Sequence, residues 1–333
     1  MKVTTPRLTQ HVLTVEGRNT GEPVLFVHGN VSSAAFWRDA MAALPEGYRP
    51  LAVDLRGFGG TDPAPVDATR GLRDYSDDLI ELVDALGLER VHLVGWSLGG
   101  GIVLQLLRDR PSAVRSVTLV NPISPYGFGG TEGPEGRLTH PGGAGSGAGA
   151  ANPDFVTRLQ AGDMSDESPT SPRNVFRSAY VNNRPVPDED FYVRAMLTTR
   201  VGEAHYPGDA ATSDAWPGVA PGKTGVLNAA APTHFRLDDL HRIDPKPPIL
   251  WIRGADDVIV SDTSLFDLAH LGALGVVPGS PGTPAQPMVS QTRAVLERYG
   301  RYRESVLDDC GHSPHLEHPE EFQRLLAEHL REA

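Results

Sequence analysis

The chain has 333 residues, of which 39% are hydrophobic and 22% are charged, a composition typical of a globular protein rather than a disordered one. Asp and Glu (42) outnumber Lys and Arg (30), and the formal net charge of -12 disfavours non-specific binding to nucleic acid or anionic lipid. The single cysteine, Cys310, excludes an intrachain disulfide framework and a cysteine-based zinc site.

The N-terminal residues lack the apolar core of a secretory signal. No apolar run approaches the roughly 18–20 residues needed to span a bilayer. We therefore expect a soluble, cytoplasmic protein with no membrane or nucleic-acid partner. The sequence carries no clear signal of an oligomeric state.

Five short apolar runs bounded by turn residues are predicted as strands, and runs of this kind are typical of strands buried on both faces of a parallel sheet. Residues 302–307 are predicted as a sixth strand. In chain order the six predicted strands are 24–27, 50–53, 91–94, 117–120, 249–252 and 302–307. Helical patterns lie between them at about 36–44, 73–87, 98–110 and 318–331. The alternation predicts an α/β fold with a doubly wound, mostly parallel sheet.

Glycine and proline are concentrated in three stretches, 121–150, 205–232 and 272–287. Such stretches cannot hold long helices or central strands. The glycine run at 142–149 is interpreted as a flexible surface loop. A phosphate-binding loop is disfavoured, because no strand precedes these glycines and no Lys-Ser/Thr pair follows them.

Residues 95–99, Gly-Trp-Ser-Leu-Gly, match G-x-S-x-G directly after a predicted strand and directly before a predicted helix. A sharp turn there places Ser97 at the C-terminal edge of the sheet, and Gly95 and Gly99 avoid clashes across it. The N-terminus of the helix directs N–H groups towards the same point. Because a serine hydroxyl is a poor nucleophile at neutral pH, it needs a base, and the base needs an orienting acid.

Candidates for both follow the last two predicted strands. Asp256 and Asp257 come after 249–252, and His312 comes after 302–307. The carboxyl ends of parallel strands form one functional edge, so these side chains can reach Ser97. Taken alone, His312 could be a surface histidine and Asp257 a turn residue. The order serine, acid, histidine favours a catalytic triad.

Four motifs together resemble the α/β-hydrolase family over most of the chain. They are His28-Gly29-Asn30, the D-x-R-G-x-G turn at 54–59, the segment 95–99, and Gly311-His312-Ser313-Pro314 with Glu317 and Pro319. The resemblance implies that Ser97 is the nucleophile and that His312 is the general base and then the general acid. It also implies that an aspartate orients His312. The family's spacing from Gly254 favours Asp257, with Asp256 as the alternative.

The resemblance further implies an oxyanion hole built from the main-chain N–H groups of Asn30 and Leu98, with His28 organising the loop. The Asn30 side chain either donates to the substrate or contributes only its main chain. A His-Gly-Asn loop also occurs in haloalkane dehalogenases, but they and epoxide hydrolases need an aspartate where Ser97 stands. No cofactor is implied.

In this family, the long segment between the runs 117–120 and 249–252 is where a cap is inserted. We expect a hydrolase core of 1–123 and 245–333, and a mainly helical cap or lid at 124–244 with helices near 155–160, 175–181 and 188–200. The candidate substrate-binding residues are Trp96, Tyr180, Tyr192, Met196 and Trp216. For each cap residue, the alternative is the cap's own core. An extra loop around 278–284 is expected to pack against the cap.

Two further features near His312 resemble reactive sites, namely a histidine spacing like that of a metal site and a cysteine. His312, His315 and His318 have an H-x-x-H-x-x-H spacing, but nearby prolines interrupt a helix across them, so no metal site is predicted. Cys310 is interpreted as a small buried residue.

The sequence therefore predicts a serine hydrolase that cleaves a carboxylic ester or lactone of a small to medium, apolar molecule through an acyl-enzyme on Ser97. Other triad chemistry, namely C–C bond hydrolysis, perhydrolysis, a cofactor-free lyase reaction or amide cleavage, stays open because a fold does not fix a function. A third hypothesis is a non-catalytic, ligand-binding relative.

Overall fold

A computed structural model describes residues 1–333. Its strands form one eight-stranded sheet and two small hairpins. In chain order the strands are β1 Lys2–Thr4, β2 Thr9–Thr14, β3 Glu22–Val27, β4 Tyr48–Val53, β5 Val91–Trp96, β6 Val114–Val120, β7 Thr131–Glu132, β8 Arg137–Leu138, β9 Ala210–Thr212, β10 Val219–Pro221, β11 Ile249–Gly254 and β12 Tyr302–Leu307.

The large sheet has the order β1-β2-β4-β3-β5-β6-β11-β12. Its pairs are parallel from β4 to β12, and only β1–β2 and β2–β4 are antiparallel. The α/β fold with a mostly parallel sheet is thereby confirmed. All six predicted strands occur. Runs such as 24–27 bury every side chain, as strands covered on both faces require, whereas β12, at the edge of the sheet, buries only Leu307.

Helices separate the strands. They are α1 Arg38–Ala42, α2 Arg73–Ala85, α3 Leu98–Asp109, α4 Pro153–Gln160, α5 Pro172–Val175, α6 Glu189–Met196, α7 Val226–Ala229, α8 Leu268–Ala273, α9 Met288–Tyr299, α10 Pro314–Glu317 and α11 Pro319–Glu332. Short 3₁₀ turns occur at Ala34–Trp37, Ala68–Arg70, Pro111–Ala113, Ala148–Ala150 and Leu240–Arg242, and a π-helical turn at Phe176–Tyr180. The helix predicted near 36–44 is a 3₁₀ turn followed by α1.

Residues 121–248, between β6 and β11, contain α4 to α7 and both hairpins. Helix α4 covers the prediction at 155–160 and begins at Asn152, whose side chain accepts hydrogen bonds from two N–H groups of its first turn. The prediction at 175–181 corresponds to α5 and the π-helical turn, and the one at 188–200 shortens to α6. One buried apolar cluster joins residues of this segment to the sheet.

The interpretation of 142–149 as a flexible surface loop is wrong. Residues 143–148 are buried. A Cβ on Gly147 would lie 2.7 Å from Pro221 Cα, and a Cβ on Gly149 would lie 2.8 Å from Val219 Cβ. The run is rich in glycine because its main chain packs directly against β10.

None of the helices combines the length and the apolar character needed to cross a membrane.

Candidate active site

The elbow, residues 95–99, connects β5 to α3 through a turn at Ser97. Ser97 has a φ of 56° and a ψ of -120°, a backbone conformation that residues other than glycine rarely adopt. A Cβ on Gly95 would lie 2.5 Å from Gly99 O, and a Cβ on Gly99 would lie 2.4 Å from Val27 O. Only glycine fits at either position, so these neighbours allow the turn that sets Ser97 at the end of β5.

The oxyanion loop, residues 28–32, follows β3 and lies against the elbow. A Cβ on Gly29 would lie 2.9 Å from the Cβ of Ser97. The Gly29 carbonyl accepts hydrogen bonds from the Ser32 hydroxyl at 2.8 Å and from His28 Nδ1 at 2.7 Å. Two side chains of the loop therefore hold the peptide that joins Gly29 to Asn30.

His28 is neutral and has a defined tautomer. Its Nδ1 donates to Gly29, and its Nε2 accepts from the N–H of Leu55 at 3.0 Å. Burial lowers the pKa of His28. Both ring nitrogens are engaged with main chain, so the ring supports the loop.

Two main-chain N–H groups beside Ser97 have no acceptor. In a trans peptide the N–H points away from the C=O, so the bonds on Gly29 also orient the N–H of Asn30, which makes no hydrogen bond within the chain. Leu98 is the first residue of α3, and helices leave their first N–H groups unpaired. Asn30 Oδ1 is buried without a partner.

The acid loop, residues 255–260, follows β11 and brings Asp257 to His312. Asp257 Oδ2 lies 2.8 Å from His312 Nδ1. Asp257 Oδ1 accepts from the N–H groups of Ile259 and Val260 at 2.8 and 3.0 Å. Asp257 and His312 are 5% and 2% exposed, whereas Asp256 is exposed to solvent. Of the two neighbouring aspartates, the structure pairs Asp257 with the histidine.

The histidine loop, residues 308–313, follows β12 and is held on both sides of His312. The buried Glu317 carboxylate accepts from the N–H of Gly311 at 2.7 Å and from that of Ser313 at 2.9 Å. Burial raises the pKa of Glu317. The Trp96 indole Nε1 donates to the His312 carbonyl at 2.8 Å. These contacts fix the main chain from which the imidazole projects.

Ser97 and the Asp257–His312 pair therefore lie at the same edge of the sheet. No hydrogen bond joins Ser97 Oγ to His312 Nε2 in this structure, and neither atom bonds elsewhere in the chain. Such contacts are often long before substrate binds. Ser97 retains 7% exposure.

Three of the candidate substrate-binding residues from segment 124–244 are buried. The Tyr180 ring lies 6.1 Å from the His312 ring, and its hydroxyl donates to the carbonyls of Asn30 at 2.9 Å and Val31 at 3.3 Å. Tyr192 stacks on Phe176 at 5.8 Å. Met196, like Trp96 of the elbow, is 0% exposed.

Trp216 lies against a different segment. Its indole Nε1 donates to Pro278 O at 2.9 Å, and a Cβ on Gly272 would lie 2.6 Å from the indole ring. Trp216 therefore packs against the chain between β11 and α9. No contact joins it to the elbow or to the histidine loop.

The three histidines of the H-x-x-H-x-x-H pattern have different surroundings. His312 pairs with Asp257, whereas His318 bonds a main-chain carbonyl. The His315 ring lies between Trp37 at 4.3 Å and Trp96 at 5.1 Å. No group of three His, Cys, Asp or Glu side chains is arranged to hold a metal ion. Burial raises the pKa of the Cys310 thiol, which makes it a poor nucleophile.

A cavity of about 440 Å³ lies between the ends of β2 and β4 and helix α6. Its lining includes His11, Asp54 and Arg194, but none of the three predicted triad residues. His11 Nδ1 lies 2.7 Å from Asp54 Oδ2. This cavity is separate from the elbow.

The comparisons with known proteins agree with the fold. The family model described as alpha/beta hydrolase fold matches residues 22–319. The chain belongs to the α/β-hydrolase family.

Relatives within this class have varied names. A protein of Variovorax paradoxus, named as a carbamate hydrolase, RutD, is 44% identical over 108 residues, which are 32% of this chain and 40% of that protein. The chain thus spans less than half the length of this relative. The carboxylesterase CesB of Bacillus subtilis superposes with a TM-score of 0.63 at 16% identity, over 100% of this chain and 91% of the other. A meta-cleavage product hydrolase of Pseudomonas fluorescens superposes with a TM-score of 0.59 at 18% identity, over 100% and 97%.

Proposed function

We propose that the protein is a serine hydrolase that cleaves a carboxylic ester or lactone of a small to medium, apolar molecule. The observation that carries the proposal is the hydrogen bond between Asp257 and His312 at the sheet edge where Ser97 occupies the elbow. The free N–H groups of Asn30 and Leu98 support it, because they can bind a developing oxyanion.

The mechanism follows from these positions. His312 Nε2 takes the hydroxyl proton as Ser97 Oγ attacks the carbonyl carbon, and Asp257 stabilises the imidazolium that forms. The N–H groups of Asn30 and Leu98 stabilise the oxyanion of the tetrahedral intermediate. His312 then protonates the leaving alcohol, and the acyl group remains on Ser97. Water activated by His312 hydrolyses this ester and restores the serine.

We also propose that residues 124–244 form the cap of this site. The contact of Tyr180 with the oxyanion loop supports this role, and the aromatic rings around His312 favour apolar acyl groups. Tyr180, Tyr192 and Met196 are the proposed binding residues. The net charge of -12 supports the proposal that the protein has no nucleic-acid partner, because phosphates are repelled. The small-molecule substrate and the cytoplasmic location are proposals as well.

Labelling and turnover test the reaction. A fluorophosphonate probe followed by mass spectrometry should modify Ser97 in the wild type. Ser97→Ala should abolish labelling and lower kcat on p-nitrophenyl acetate by at least about 10³-fold. Labelling at another residue, or a Ser97→Ala variant with normal turnover, would contradict the proposal. The turnover of a series of p-nitrophenyl esters of increasing acyl length then measures how large an acyl chain the pocket accepts.

A second candidate, C–C bond hydrolysis, is favoured by the likeness to a meta-cleavage product hydrolase. The same three side chains could serve it, since a triad does not determine the bond that breaks. Parallel assays on esters and on vinylogous diketones distinguish the two. Faster turnover of the diketones would select the second candidate.

A further inference from the structure

Asn121 lies directly after β6, the strand between β5 and β11 in the sheet. It is 2% exposed, and its φ of 39° lies in the left-handed region that asparagine, aspartate and glycine tolerate best. Its N–H donates to Ile252 O of β11 at 3.1 Å. The residue is therefore fixed next to the strand that precedes Ser97 and the strand that precedes Asp257.

The Asn121 side chain joins the ends of two other segments. Nδ2 donates to the carbonyls of Gly311 at 3.0 Å and His312 at 2.9 Å. Oδ1 accepts from the N–H of Gly254, the last residue of β11, at 3.2 Å. All three partners are main-chain groups, so this one amide sets the spacing between the histidine loop and the strand end that carries the acid loop.

The carbonyl of His312 has a second donor, the indole Nε1 of Trp96. Trp96 immediately precedes Ser97 in the chain. The same carbonyl is thus tied to the elbow through Trp96 and to the end of β11 through Asn121. A peptide held at its carbonyl by two donors has little freedom to shift or rotate.

We propose that Asn121 is a positioning residue that holds the main chain of His312 in register with Ser97 and with the acid loop. This inference rests on the proposed function, because it concerns the geometry of that reaction. A displacement of reacting groups by about 1 Å can lower the rate by about 10²-fold. The side chain touches no reacting atom, so it acts only through the backbone of His312.

Two substitutions remove the donor without disturbing the backbone conformation. Asn121→Asp keeps the shape but places a carboxylate oxygen against two carbonyl oxygens. Asn121→Gly keeps the positive φ and removes the side chain. For both we expect kcat on p-nitrophenyl acetate to fall by about 10- to 100-fold with KM within about twofold. The rate of fluorophosphonate labelling at Ser97 should fall in parallel, measured well below the thermal midpoint of each variant.

Asn228→Asp is the matched control. Asn228 is also buried, and its Nδ2 donates to the carbonyls of Asp209 and Thr224 at 2.8 and 2.7 Å, in segment 124–244. The same substitution there should lower the thermal midpoint while kcat and the labelling rate of the folded protein stay at wild-type values. Asn121 variants that behave like this control, less stable but equally fast, would overturn the inference.

Trp96→Phe provides an independent variant should the Asn121 variants fail to fold. It removes the second donor to the His312 carbonyl and keeps an aromatic ring, and kcat should fall with the labelling rate. Unchanged rates in this variant would also overturn the inference. A wild type that neither labels at Ser97 nor hydrolyses any tested substrate would contradict the proposed function itself, and the inference with it.

Discussion

Asp256 and Asp257 are neighbours in the chain with different surroundings. Both oxygens of Asp257 accept hydrogen bonds, one from the His312 ring and one from two N–H groups of its own loop. Asp256 is exposed, and its main-chain N–H bonds Cys310 O at 2.9 Å. A carboxylate held this firmly can fix both the orientation and the tautomer of an imidazole.

We therefore predict opposite outcomes for the same substitution at the two positions. Asp257→Asn should lower kcat/KM on p-nitrophenyl acetate by on the order of 10³- to 10⁴-fold, because an amide cannot stabilise the imidazolium. Asp256→Asn should change it less than about twofold. The reverse result would exchange the roles of the two aspartates.

At the scale of single residues, a sequence motif predicts where in the fold a residue lies better than it predicts which other residues it contacts. The sequence predicts Ser97, Asp257 and His312 as site residues because each follows a strand end in a recognisable local pattern. No local pattern marks Asn121, whose role depends on contacts with residues over a hundred positions away. Trp216 illustrates the same limit, because which aromatic residues border a pocket depends on how separate segments pack.

At the scale of helices and strands, buried polar side chains explain why some of these elements are not predicted from the sequence. Gln10 on β2 and Gln291 and Thr292 on α9 are all 0% exposed. They interrupt the apolar periodicity by which strands and helices are predicted. Most of the parallel strands are predicted because apolar residues dominate them, whereas β12 contains Arg303, Glu304 and Ser305.

One such side chain anchors the chain between α8 and α9. Gln286 is 0% exposed. Its Oε1 accepts from the N–H of Gly129 at 2.5 Å, and its Nε2 donates to Gly127 O at 3.0 Å and to Gln291 Oε1 at 2.8 Å. Together with the Trp216 contact, these bonds tie this segment to residues 124–244, as expected for the loop around 278–284.

Gln286→Leu should lower the free energy of unfolding by about 2–3 kcal/mol, because it leaves buried main-chain groups without partners. Urea unfolding measures the change. Gln160→Leu, at the exposed end of α4, is the control and should stay within about 0.5 kcal/mol of the wild type. Equal destabilisation by both changes would contradict this account of the segment.

At the scale of the whole molecule, buried histidines make stability depend on pH. Burial lowers the pKa of His329 to about 4 and that of His315 to about 3. His329 Nε2 also bonds Val117 O of β6 at 3.1 Å. Because the unfolded chain binds protons on these rings at higher pH than the folded chain does, their contribution is complete above about pH 6.5 and is lost as the pH falls towards 4.

His329→Gln keeps a donor for the Val117 carbonyl but does not titrate. We expect the loss of unfolding free energy between pH 7 and pH 4 to be about 3 kcal/mol smaller in this variant than in the wild type. The measurement is urea unfolding at several pH values. His140→Gln, at an exposed position, is the control, and its unfolding free energy should depend on pH as that of the wild type does. If His329→Gln showed the same pH dependence as the wild type, His329 would not be the cause.

The order of strands along the chain has a consequence for biosynthesis. The elbow follows the fifth strand, whereas His312 follows β12, the last strand and an outer one in the sheet. Translation proceeds from the N-terminus, so a ribosome-bound chain holds its proposed nucleophile long before its proposed base. On this assignment, the nascent polypeptide lacks a complete triad until the final strand docks.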